Sequence, residues 1–133
     1  MVDTVQPYPE DIRTLIDQAN ERITSAELLQ KNGNFRDAVS RAYYAFFDAA
    51  RAALLTKGMV AKTHKGVNIL FEQHFIKPGL FPMGTGRWLT KAEQAREEAD
   101  YQYRMVFTAE QSGAAIEAAR QFIKEIEKIV PAQ

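Results

Sequence analysis

The chain has no cysteine, which removes disulfides, thiolate nucleophiles, zinc ribbons and iron-sulfur clusters together. It has no excess of charge of either sign. Lys plus Arg and Asp plus Glu each number 17 among 133 residues, so no global field draws it to nucleic acid or to an anionic membrane, and any anion site must be local. No apolar run approaches the ~20 residues that span a bilayer. The opening MVDTVQPYPEDIR lacks the basic start and apolar stretch of a secretory signal. The expectation is a cytoplasmic protein without membrane contact. Histidine is scarce as well: His64 and His74 stand ten apart, outside any HExxH or paired ExxH spacing, so no metal and no other cofactor is expected.

What the chain does have is helical periodicity and apolar content of 46%, enough for a full core. After a leader over 1–9 broken by Pro7 and Pro9, the residues Ile12, Leu15, Ile16, Ala19, Ile23, Ala26 and Leu29 recur at three and four, predicting a first helix over 10–33 that Asn32-Gly33 closes. Asn34 can cap a second helix over 34–58, with Asp37 favouring its positive end, so the two form an antiparallel hairpin. Thr63 is placed to cap a shorter third helix over 63–77, which carries Val67, Leu70, Phe71 and Phe75. The segment 78–86, PGLFPMGTG, reads as an irregular loop whose Leu80, Phe81 and Met83 dock on the helices. Its Gly84 and Gly86 lack the Lys-Ser/Thr of a phosphate loop and follow no strand. A fourth helix is expected over 87–104, with Trp88, Ala92, Ala95, Ala99 and Tyr103 inward and Arg96 spaced to pair with Asp100. Thr108 to Gln111 reads as a capping box opening a fifth helix over 108–130, whose stripe is Ser112, Ala115, Ala119, Phe122, Ile126 and Ile129. No run alternates as a half-buried strand would. The fold class is therefore all-α: a single domain over 1–133, an up-and-down four-helix bundle with an additional short helix across one end.

The second helix is apolar along two sides. Phe35, Val39, Ala42, Phe46, Ala49, Ala50 and Ala53 make an ordinary core stripe, whereas Arg41, Tyr44, Asp48, Arg51 and Leu55 mix charge with large apolar surface on the other side. That second side faces another helix, a second copy of the chain, or a ligand suited to guanidinium and phenol groups. On the fourth helix Arg96, Asp100 and Tyr101 repeat the same residue types. Were the two to face each other, arginine forks could hold a phosphate while a tyrosine stacks on a base; an interhelical salt-bridge network is the alternative. A second candidate anion site is Lys62, His64 and Lys65 beside Gly66, three potential cations where a helix begins.

Taken in order, Ser40–Ala45 (SRAYYA) with Ala49 and Ala50, His64–Val67 (HKGV), Phe75–Lys77 (FIK), Arg96 with Ala99–Tyr101 (ADY), and Phe122–Ile126 (FIKEI) resemble the HEPN-domain family, in its subgroup of small stand-alone prokaryotic proteins. The resemblance implies a helical bundle that commonly dimerises. It also implies a role beside a minimal nucleotidyltransferase in a toxin-antitoxin-type module, with RNA or a nucleotide as a further ligand. Family toxins are metal-independent ribonucleases whose signature is an arginine followed, after four to six residues, by a histidine. Ahead of His64 those positions hold Lys57, Gly58 and Met59, and ahead of His74 they hold Val67, Asn68 and Ile69. No catalytic residue is therefore carried over. A ribonuclease with an atypical site using His64 with Arg41 or Arg96, and a structural homodimer without ligand, remain the alternatives.

Overall fold

A computed structural model of the chain describes residues 2–4, 9–82 and 85–131. Among these the order is β1 (Val2–Thr4), α1 (Pro9–Lys31), α2 (Phe35–Thr56), β2 (Met59–Ala61), α3 (His64–Phe71) running into one π-helical turn (Glu72–Ile76), α4 (Thr85–Tyr101) and α5 (Ala109–Glu127). The fold is an all-α helical bundle, as the periodicity indicates. α1 opens on Pro9, whose fixed φ and missing N–H suit a first helical position. It ends at a turn in which Gly33 takes φ +82°, a conformation that a side chain would strain. Asn34 stands at the N-cap of α2 without a side-chain capping bond. Thr63 does cap α3, accepting from the Gly66 N–H at 2.9 Å, and Thr108 and Gln111 form the reciprocal capping box on α5.

α2 is the axis of the molecule, packing on α1 most extensively and then on α5 and α4. The first of its two expected stripes is the core: Val39, Ala42, Phe46, Ala49, Ala50 and Ala53 are buried. Phe46 meets Phe122 of α5 with ring centroids 5.1 Å apart. Phe122 in turn lies 5.3 Å from Phe71, and Phe71 stacks on Phe75 at 5.1 Å. Phe81 completes this aromatic end of the core, 5.5 Å from Phe71.

Four expectations are corrected, and the third helix keeps its expected extent with a change of pitch. Part of the supposed leader is β1, which pairs antiparallel with β2 in the register Val2 to Ala61; two three-residue strands are too short to display alternation. The α-helical part of the third helix stops at Phe71, and the wider turn beyond it, closed by Lys77 N–H to Glu72 O at 2.9 Å, keeps Phe75 against Phe71. Leu80 is exposed while its neighbour Phe81 is buried; Met83 lies outside the described residues. α4 ends at Tyr101 rather than 104, because the Ala99 carbonyl is taken at 2.6 Å by the Arg36 guanidinium of α2, and Tyr103 is consequently exposed. α5 ends at Glu127, which leaves Ile129 beyond the helix and at the surface.

Truncating Phe46 would remove the ring that joins α2 to α5. Phe46→Ala is expected to cost about 3–5 kcal/mol in urea denaturation of the full chain. A cost below ~1 kcal/mol, the level of an exposed site, would mean that this contact does not hold the helices together.

Candidate functional site

α2 carries four aromatic rings within five residues; Phe46 faces the core, and the different fates of Tyr43, Tyr44 and Phe47 make the site. Tyr43 turns inward and is 1% exposed. Tyr44 is half-buried with its ring edge-on to Tyr43 at 5.3 Å, and Phe47 stacks near Tyr43 at 6.2 Å. The Thr63 cap sets His64 on the first turn of α3, where its ring stacks on Phe47 at 4.3 Å with 26° between the planes. Nδ1 of His64 lies 2.5 Å from the Tyr43 phenol oxygen. The Tyr44 ring stands edge-on to the same imidazole at 6.2 Å.

An arginine from a different position sits over each of the three rings. Arg22 of α1 lies 5.4 Å from the centre of Tyr44, Arg51 of α2 lies 5.5 Å from Phe47, and Arg96 of α4 lies 5.2 Å from Tyr43. Cations over ring faces are attracted to the ring quadrupole. Burial pushes the Tyr43 phenol above its ordinary range, helped by the Glu93 charge and opposed by Arg96. Burial also lowers the His64 imidazole from its usual value, with Arg96 and Arg51 in the same direction and Glu93 against them. At neutral pH the pair is a neutral phenol on a neutral imidazole.

The sequence-derived candidates divide into three groups. Tyr44, His64 and Arg96 come together in this cluster. Asp100 supports it, accepting from Arg96 at 3.3 Å and from the Ser40 hydroxyl at 3.4 Å. Lys62 and Lys65 flank His64 at the exposed start of α3. Arg41 is exposed on α2 with no ion pair among the described residues, and Tyr101 is 72% exposed at the end of α4.

Asp48 is the correction. It was expected on the ligand-facing side with Arg41 and Tyr44, yet it is 2% exposed. Its carboxylate sits 3.3 Å from Arg22 Nε and 3.7 Å from an Arg51 nitrogen. α1 covers that stretch of α2, so Asp48 lies beneath the two arginines and pairs with them, away from the surface. Sequence reasoning missed Tyr43, Phe47 and Arg22. The pair Phe47 and Tyr43, four apart, was visible as a helical stripe, but nothing in the sequence tied Arg22 to Tyr44. Among the described residues no three His, Asp or Glu side chains gather as they would around a metal, and no helix is long and apolar enough to cross a membrane.

Comparison with known proteins gives the arrangement a setting. The model of the HEPN domain matches residues 12–129. The chain is 40% identical over 119 residues to "Putative toxin MJ0605" of Methanocaldococcus jannaschii, covering 90% of this chain and 88% of that protein. It is 34% identical over 113 residues to a "UPF0332 protein" of Thermotoga maritima, covering 85% and 86%. With "Putative toxin MJ0142" of M. jannaschii it shares 28% over 121 residues, covering 91% and 82%.

Burial raises the Asp48 carboxyl from its ordinary value, against Arg22 and then Arg51, which pull it down. A folded value above the unfolded one means that the native state holds the proton more tightly. Native stability therefore falls as pH rises from the unfolded value to the folded one. Asp48→Asn cannot ionise and should show a shallower fall in thermal melts taken from pH 4 upward. A steeper fall in the variant would show that the arginines outweigh burial.

Proposed function

The chain belongs to the HEPN-domain family, and on that premise we propose that it is the effector of a toxin-antitoxin-type module, partnered by a minimal nucleotidyltransferase. In this reading it binds RNA or a nucleotide on the surface formed by Tyr44, His64, Lys65, Arg51 and Arg96. Two relatives carry the word toxin in their names, which supports the module. The observation that carries the ligand is the set of three guanidinium groups on three rings around one imidazole. Bases stack on aromatic faces whatever their sequence, and arginines beside those faces meet the backbone phosphates. A site built this way works in a chain of zero formal charge, because its field is local.

The ribonuclease alternative draws less support. Counting onward from Arg96, the positions of the signature histidine hold Tyr101, Gln102 and Tyr103. Counting from Arg41 they hold Phe46, Phe47 and the buried Asp48. A base for a ribose hydroxyl would have to be Nε2 of His64, which has a free lone pair only if Nδ1 carries the proton and donates it to the Tyr43 oxygen.

Three measurements test the proposal. Co-expressed with the product of the neighbouring gene, the full chain is expected to co-purify with it; a neighbour that is no nucleotidyltransferase and does not bind overturns the partnership. In fluorescence anisotropy with a single-stranded RNA, Tyr44→Ala is expected to weaken binding by about fivefold or more, the lower value of one lost base stack. An unchanged affinity removes Tyr44 from the site, and RNA cleavage in EDTA that disappears in His64→Ala restores the enzyme reading. Exposed Arg41 should contribute within about 0.5 kcal/mol to stability, so Arg41→Ala is expected to melt with the parent. A dissociated dimer on that substitution would instead favour a purely structural assembly.

A further inference from the structure

From the geometry of Tyr43 and His64 we infer that His64 is held as a neutral imidazole with its proton on Nε2, a fixed hydrogen-bond donor to a phosphate oxygen. This deepens the ligand site proposed above and rests on it. A phenol O–H inside a protein needs an acceptor. The Tyr43 ring is buried, and the partner of its hydroxyl is His64 Nδ1 at 2.5 Å. Nδ1 therefore accepts, and in a neutral ring the proton then sits on the other nitrogen. The opposite tautomer, with Nδ1–H donating into the phenol oxygen, would leave the phenol hydrogen without an acceptor in a buried place.

The surroundings keep this arrangement in one orientation and one charge state. One face of the imidazole stacks on Phe47, and Tyr43 and Tyr44 bound it. A second proton on the ring would set Nδ1–H against the Tyr43 O–H. The charged and titratable groups facing it are Tyr43, Tyr44 and Arg51 of α2 and Glu93 and Arg96 of α4, with Lys65 next to it on α3. Glu93 alone among these favours a positive ring, and it already accepts from the Asn68 amide.

The chemistry of the occupant follows from what the site has left over. Asp48 is taken by Arg22 and Arg51, Asp100 by Arg96 and Ser40, and Glu93 by Asn68. His64 Nε2 makes no hydrogen bond among the described residues, and the ring is half-exposed. The surface thus offers an N–H donor beside guanidinium groups and the exposed Lys65, with its carboxylates already occupied. An anion rich in acceptor oxygens complements it, which is a description of a phosphate group. An RNA phosphodiester and a nucleotide phosphate share that chemistry.

Long-range proton-nitrogen NMR on the full chain at pH 7 reads the ring directly. The expected pattern is an unprotonated Nδ1 and a protonated Nε2, with the Nε2–H signal moving on addition of inorganic phosphate. Protonation of Nδ1, on its own or together with Nε2, overturns the inference, as does a phosphate titration that leaves His64 unmoved. Tyr43→Phe removes the hydroxyl while keeping the ring, and the His64 midpoint should then rise toward its ordinary 6.5; no rise means that the phenol does not hold the tautomer. His64→Gln keeps an N–H donor and should bind phosphate within about threefold of the parent, whereas His64→Ala should lose about tenfold, the value of one hydrogen bond to an anion. Equal losses in the two variants overturn the donor role. Adenosine monophosphate and an oligoribonucleotide without terminal phosphates, titrated separately, identify the source of the phosphate. Should phosphate move His64 while RNA does not bind, the donor stands and the RNA reading falls; RNA binding with His64 unmoved gives the reverse.

Discussion

The close approach of three helices to α2 is the constraint on which the rest depends. Its buried positions run from Asp48 through the alanine stripe of Ala38, Ala42, Ala45, Ala49, Ala52 and Ala53 to Val39, Tyr43 and Leu54, an arc of about 240° of the helix. Along the alanine stripe small side chains let neighbouring backbones draw near, and large rings fill the space beside it, Phe46 toward α5 and Tyr43 toward α3 and α4. A helix enclosed in this way keeps only a narrow side for solvent. The charges it carries must either be neutralised in place, as Asp48 is by Arg22 and Arg51, or reach its ends and edges, as Arg41 and Arg36 do.

The candidate site grows out of the same crowding. Because α1 comes close to α2, Arg22 can reach both Asp48 and the Tyr44 ring. Because α4 comes close from the other side, Arg96 reaches the ring of Tyr43 while Asp100 holds its guanidinium. The imidazole arrives from α3, fixed by one threonine cap. Four helices each contribute one or more groups to a patch a few residues wide, and none of these groups could be placed without the packing of the others.

Much of the fold was legible because its signals are local. The capping box at Thr108, the cap at Thr63 and the turn at Asn32-Gly33 each involve residues within four positions of one another, and each stands where the spacing put it. The pairing of Arg96 with Asp100 was legible for the same reason. What escaped were contacts over long separations. Arg36 stops α4 by binding carbonyls more than 60 residues away, β1 pairs with β2 across the whole of the first hairpin, and Arg22 settles Asp48 from another helix. Of the site, His64, Tyr44 and Arg96 could be named from residue type, but adjacent tyrosines on a helix lie about 100° apart, and which one turns inward is decided by the neighbours. The sequence reading took Tyr44 as the functional ring; the hydrogen bond to the histidine belongs to Tyr43.

That single step along the helix bears on what kind of chemistry the patch supports. A histidine serving as a base needs an open nitrogen lone pair directed at the proton it removes. In the tautomer inferred above, the lone pair of Nδ1 accepts from a buried phenol, and the ring is lowered in basicity by burial and by two neighbouring guanidinium groups. Each of these features opposes proton abstraction, and each favours a neutral donor that holds its shape across the physiological range. Groups that bind an anion without taking its proton are those of a recognition surface. On the proposed reading the chain gains its effect by what it holds, which makes the identity of the held molecule the physical question that the site poses.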